Sequence, residues 1–423
     1  MIDSPYVVLL GHRQQAKKTL LAQNLQIITF QAPGEMPWKS GIVWQETLPC
    51  SWENFSVEVL KQWPHFLRLL SLAKEGKILG IWAVTERTLL PGAILAKALG
   101  VPGIEESTAR HCHLKYELKN WAKLVSLPQT SFEWFSGAIG PQDMQRLKDQ
   151  WGYPILLKVP HLSGHRGQRK IGSDHELLTF LSLPESDRKN LLAEKWIEGQ
   201  ELSVETFLIN GQKVFQSTTQ YTQKMSVNVT PAFLDLATWT SLSALNDQVL
   251  QHFAIKSGLV HAEYYLTSQG PLLGELTVRP PGGYIMDLMS MTYQLPAWEL
   301  AWLCIPKTQK NSLEPLNLLS KLPVRAHGVC GALILHPGEG QIKEILGIDS
   351  IKDIKEVKKF HLKVKEGDWI GTRKGAGDDI GHILVQAKDH LSLLQVVKTI
   401  QSQLRFLFHG KPLIEPGLKA TVP

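Results

Sequence analysis

The chain has 423 residues, more than one hydrophobic core comfortably holds, and so implies two or three domains. Lys plus Arg exceed Asp plus Glu only by 45 to 39, and no basic stretch interleaves with aromatics, so nucleic acid and anionic membranes are not expected partners. No apolar run reaches bilayer length, Met1 to Pro5 lacks a cationic leader, and the four cysteines (Cys50, Cys112, Cys304, Cys330) show neither disulfide nor metal spacing, which together fit a reducing cytoplasm.

Tyr6 to Leu10 reads as a buried strand closed by Gly11, and Ala16 to Ala22 as the helix that follows. Lys77 to Val84 begins a second strand-to-helix unit, with a helix over Leu90 to Leu99 and a stop at Gly100-Val101-Pro102-Gly103. This alternation predicts a parallel sheet in the first hundred or so residues. Thr108 to Leu124 has the pattern of one helix, stopped by Pro128. A new unit opens with the strand Ile155 to Val159, a polar loop from Ser163 to Lys170, and a helix around Glu176 capped by Ser173-Asp174. Leu191 to Ile197, Glu201 to Phe207 and Lys213 to Ser217 read as strands. The chain becomes linker-like after Pro306, and Gly328 to Leu335, His361 to Val364 and His382 to Gln386 supply strands of a last domain.

Glu263 and Glu275 sit on short apolar segments joined by Thr267-Ser268-Gln269-Gly270, which predicts a hairpin with one carboxylate on each strand. Acids inside apolar strands need a partner, and a hard cation bridging nucleotide phosphates wants such a pair; a hairpin with both carboxylates in water fits the same alternation. Arg279, just before Pro280-Pro281-Gly282-Gly283, adds a fork of donors suited to phosphoryl groups. Lys158 ends a strand beside a loop holding Gly164 and Gly167, from where an ammonium reaches phosphates; a solvated basic turn is the plainer reading. Glu194-Lys195-Trp196-Ile197-Glu198-Gly199-Gln200-Glu201 can act as a hinge whose backbone and apolar side chains sandwich an adenine ring, with Glu201 seven residues beyond Glu194 for the ribose; an ordinary strand pair with exposed acids fits as well. Glu86, Arg87, His12 and Arg13, each following a strand, are candidates for recognising an amine or a carboxylate, or are solvated turns. His111, His113, His161, His165 and His261 are read as structural or surface residues.

In order along the chain, Lys115, Lys158, Glu194 to Ile197, Glu201, Glu263, Glu275 and Arg279 resemble the ATP-grasp superfamily over nearly the whole sequence. The hinge looks like that of D-alanine–D-alanine ligases, and the regions Glu263 to Gly283 and Gly375 to Gln386 look like biotin carboxylase and the purine-biosynthetic carboxylases and transformylases. The resemblance implies an α/β and α+β multidomain fold. A parallel α/β domain over residues 1–110 would precede an ATP-grasp domain over 111–320, two α+β subdomains clasping ATP with a mobile lid at about 128–193. A small β-rich α+β domain would follow over 321–423. It implies that Lys115 and Lys158 hold the ATP phosphates, that Glu194, Lys195, Trp196 and Ile197 hold the adenine and Glu201 the ribose. Glu263 and Glu275 would bind magnesium, replaceable by manganese, and Arg279 and Lys158 would serve catalysis. The loop's scarcity of glycine and Thr277, where the family usually has a third metal ligand, depart from the pattern. The implied activity is an ADP-forming ligase joining a small-molecule carboxylate to an amine, with a homodimer allowed by analogy. Carboxylation or formyl transfer is the enzymatic alternative, and a regulatory ATP-binding protein without turnover the non-enzymatic one.

Overall fold

The computed structural model describes residues 4–162, 164, 166–308, 322, 325–375 and 377–410. Four parallel strands, β1 (Tyr6–Leu10), β2 (Gln26–Gln31), β3 (Trp44–Thr47) and β4 (Ile78–Ala83), form a sheet in the order β3-β2-β1-β4. Their residues are apolar on both sides, as a parallel sheet covered on two faces requires. Val7, Leu9 and Ile27 enter one core, Val8, Leu10, Ile28 and Phe30 the other. The helix after β4 runs from Glu86 to Leu99, four residues earlier than the sequence pattern placed its start, because Thr85 and Thr88 form a capping box ahead of Pro91.

The predicted helix over Thr108 to Leu124 is two helices, Glu106–His113 and Lys115–Leu124. Leu114 adopts extended angles between them, while the apolar spacing of Ala109, Cys112, Leu118 and Ala122 continues across the break and conceals it in the sequence. A small sheet follows, made of β5 (Phe132–Phe135), β6 (Ile155–Lys158), β7 (Gln168–Ile171) and β8 (Leu191–Lys195) in the order β5-β8-β6-β7. Gln168, Arg169 and Lys170, read from sequence as loop, are strand residues paired with β6. Strand β8 stops at Lys195, so Trp196 and Ile197 lie outside it.

A larger sheet contains β9 (Gln200–Ile209), β10 (Gln212–Gln223), β11 (Val227–Thr230), β12 (Gly258–Thr267) and β13 (Gly270–Thr277). It continues without interruption into β14 (Val329–Leu335), β18 (Gly381–Ala387) and β16 (Val357–Leu362), in the order β13-β12-β9-β10-β11-β14-β18-β16. The last unit is thus joined edge to edge to the one before it. A three-stranded sheet of β15 (Gly340–Leu346), β17 (Trp369–Ile370) and β19 (Arg405–Phe408), with the helix His390–Gln403, completes it around Leu333, Ile383, Val385 and Leu393. Strand β16 covers His361 and ends at Leu362, so the expected strand to Val364 is shifted toward the N-terminus. Most of the linker expected after Pro306, like His165, lies outside the described residues. Among the described residues no helix is long and apolar enough to cross a membrane.

Candidate active site

Period-two alternation builds the site. On one face of the large sheet, Leu202 and Val204 of β9, Ala262 and Tyr264 of β12 and Leu276 of β13 pack with the helix Leu236–His252 into an apolar core. The intervening residues face the other way: Glu201, Ser203 and Glu205 on β9, His261, Glu263 and Tyr265 on β12, Glu275 and Thr277 on β13. Six of these line a cavity that also receives Lys115, Lys158, Arg279 and Glu86.

Glu263 and Glu275 are directly paired across the hairpin, with Thr267 and Gly270 flanking a two-residue turn. Lys115, the first residue of its helix, places its ammonium 3.4 Å from Glu275 Oε1 and donates to Leu162 O at 2.8 Å. Tyr221 OH donates to Glu263 Oε1 at 3.2 Å, and His261 Nε2 lies 3.3 Å from the same oxygen. The opposite ring nitrogen of His261 is 2.8 Å from Oε1 of Glu205, a fully buried carboxylate that also accepts from Thr219. Burial lowers the His261 pKa, but hydrogen bonds and charge from Glu205 and Glu263 outweigh it and raise the value to about 9. Of the two readings, structural or surface, the buried His261 takes the structural one, lying between two carboxylates that favour its charged form. Its spacing two residues before Glu263 on a strand was the available signal.

Two opposed carboxylates and the buried Thr277 hydroxyl, which has no hydrogen-bond partner among the described residues, form an all-oxygen donor set. That set suits a hard cation. No group of three or more His, Cys, Asp or Glu among the described residues could cage a metal, so further ligands would come from a nucleotide's phosphates, as magnesium prefers.

Lys158, at the end of β6, is buried and 3.0 Å from Glu194 Oε2. Burial pulls its pKa down, yet Glu194 and Glu275 overcome this and raise it to about 12. Glu201 lines the cavity and pairs with Lys224 at 3.3 Å. The hinge is arranged otherwise: Glu194, Lys195, Trp196 and Ile197 lie outside the cavity lining. Glu194 turns into the interior toward lysines, Lys195 is exposed, and Trp196 is covered by Lys170, whose ammonium is 4.1 Å from the ring centre. The Trp196 N–H donates to Pro154 O, which removes it from the donors a base could use. Arg279 gives two nitrogens to Glu86 Oε2 and a third to Pro280 O. Arg87 instead pairs with Glu35, and His12 stacks on Trp38 with centroids 3.7 Å apart. Sequence reasoning also passed over Tyr221, Lys224 and Asn228, since only the pairing of β10 and β11 with β9 brings them to the cavity.

Residues 179–286 match the family model for the ATP-grasp domain, and residues 333–408 the model for L-amino acid ligase C-terminal domain 2. An L-arginine-specific L-amino acid ligase of Bacillus subtilis is 25% identical over 329 residues, 74% of this chain and 76% of that protein. The crystal structure of an L-amino acid ligase from Bacillus licheniformis superposes with a TM-score of 0.76 at 16% identity, over 97% of this chain and 100% of that one. A phosphoribosylglycinamide synthetase from Anaerococcus prevotii gives 0.69 at 15% identity, over 96% and 100% of the two chains. At these identities the superpositions establish the shared fold. By these matches the chain carries an ATP-grasp domain and an L-amino acid ligase C-terminal domain.

Proposed function

We propose that the protein is an ADP-forming ligase that activates the carboxylate of an amino acid with ATP and joins it to an amine, forming an amide or peptide bond. The observation that carries this reading is the Glu263–Glu275 pair facing one cavity with Lys115, Lys158 and Arg279. The amino-acid ligase C-terminal domain and the Bacillus subtilis relative support an amino acid as the carboxylate.

A carboxylate oxygen attacks the γ-phosphorus of ATP, the bridging P–O bond breaks toward ADP, and an acyl phosphate results. The amine nitrogen then attacks the acyl carbon, the C–O bond to phosphate breaks, and the nitrogen loses a proton. Lys115 and Lys158 hold the phosphates and Glu201 takes the ribose, all three in the lining of the cavity. Glu263 and Glu275 would hold magnesium, with manganese able to replace it, and such an ion would supply neutralisation of phosphate charge. Arg279 faces the negative charge of the transferring phosphoryl and acyl phosphate groups. Glu86, the remaining carboxylate of the lining, would meet a substrate ammonium alongside its contact with Arg279. No protein nucleophile is required, so positioning and exclusion of water carry the rate.

Phosphate release from ATP and magnesium should be followed with amino acids, hydroxy acids, bicarbonate and formate, with mass detection of condensed products. Release that depends on an amino acid, yields a dipeptide and disappears in Glu275→Ala is the expected result. Release with bicarbonate or formate alone would redirect the reading to carboxylation or formyl transfer, and tight ATP binding without release to a regulatory role.

A further inference from the structure

Beneath the cavity lies a charge cluster that the roles above leave unexplained. Lys119 is the least exposed described lysine, at 2 %, one helical turn beyond Lys115 on the same face of its helix. Its ammonium is 3.8 Å from Glu194 Oε1, while Lys158 holds Oε2 of the same carboxylate at 3.0 Å. Neither Lys119 Nζ nor Glu194 Oε1 has a hydrogen-bond partner among the described residues. Two lysines thus share one carboxylate, with all three side chains buried, and the triad with both ammoniums charged carries one excess positive charge. Such an uncompensated charge is costly for the fold, since a buried ion is tolerated only when paired and hydrogen-bonded. Burial lowers the Lys119 pKa, offset only in part by Glu194, while Lys158 lowers it further.

Resting on the reading of the cavity as an ATP site, we propose that Lys119 is a positioning residue for the polyphosphate. By sharing Glu194 with Lys158, it adds a second positive charge to that ion pair, so the triad under the phosphate position keeps a net positive charge until phosphates arrive. Without Lys119, the Lys158–Glu194 pair, already in contact at 3.0 Å, would carry no net charge, and the phosphates would meet a neutral pair. The excess charge that burdens the empty protein is then what the nucleotide compensates.

The test is calorimetric binding of magnesium ATP to the full chain, with melting temperature and steady-state kinetics alongside. Lys119→Met should weaken ATP binding by about tenfold, raise KM for ATP more than it lowers kcat, and leave the melting temperature unchanged or higher. Lys119→Arg should restore the affinity. The double variant Lys119→Met with Glu194→Gln should bind ATP more tightly than Lys119→Met, because removing the carboxylate's charge frees Lys158 again. Lys119→Met that melts lower, or fails to fold, while Lys119→Arg behaves as wild type and the double variant recovers nothing, would make the lysine structural and overturn the proposal. Unchanged ATP affinity in Lys119→Met would do the same. Wild-type protein that binds no ATP would instead remove the reading of the site on which this rests.

Discussion

Arg279, two residues beyond the end of β13, grips one oxygen of Glu86, at the start of the helix after β4, with two nitrogens at 2.7 and 2.6 Å. The pair locks the guanidinium plane from the N-terminal sheet, and Gly11, at φ +92, lets Thr85 approach closely enough to set the helix start that carries Glu86. Lysine cannot reproduce that fork. Arg279→Lys is expected to lower kcat by about 10²–10³-fold with ATP affinity changed only a few-fold, as for loss of a preorganised donor to developing charge. Single-turnover ADP formation checks this; equal losses in ATP binding and kcat would contradict it.

Gly199 in the hinge has a physical reason. A β-carbon there would lie 2.5 Å from Leu266 O and 3.1 Å from Leu266 C, both backbone atoms of β12. Gly199→Ala must push the hinge off the sheet that bears Glu263. We expect a stability loss of about 1–3 kcal/mol, the usual cost of overpacking, together with weaker ATP binding. Paired melting and ATP titration of the variant test it, and an unchanged ATP dissociation constant would detach the hinge from the nucleotide.

Tyr264 points away from the cavity, its hydroxyl donating to Asn246 Oδ1 at 2.8 Å, while Asn246 Nδ2 donates to Thr206 Oγ1 at 3.1 Å, all fully buried. Tyr264→Phe strands the Asn246 oxygen and should cost about 1–3 kcal/mol in urea unfolding, with ATP affinity unchanged. Adding Asn246→Leu should recover part of the loss.

His382 lies under Tyr284, ring centroids 3.9 Å apart, and neither ring nitrogen has a partner among the described residues. Burial, then repulsion by Lys359, His361 and Lys363, lowers its pKa from 6.5 to about 4, against the opposing pull of Asp379. With the folded pKa below the unfolded one, the unfolded chain binds the proton first. The contribution is therefore full above 6.5 and is lost as pH falls toward about 4. His382→Phe keeps the stack and removes the titration, so its melting temperature should fall less than wild type's between neutral pH and about pH 4. Parallel slopes would count against the assignment.

What the sequence alone determined is local. The alternation around Thr267 to Gly270 fixed that Glu263 and Glu275 face each other, because turn and side-chain period are set within twenty residues. The β-turn-α opening and the Ser173 cap follow from similar short-range rules. Only tertiary structure decided which face of β9 meets the hairpin, bringing Glu205 to His261 across 56 positions, or that Arg279 would find Glu86 across 193. The break at Leu114 and the inward turn of Glu194 toward Lys119 and Lys158 depend likewise on what packs around them. Charges far apart in the chain meet only where sheets and helices converge, and no periodicity in one segment encodes its distant partner.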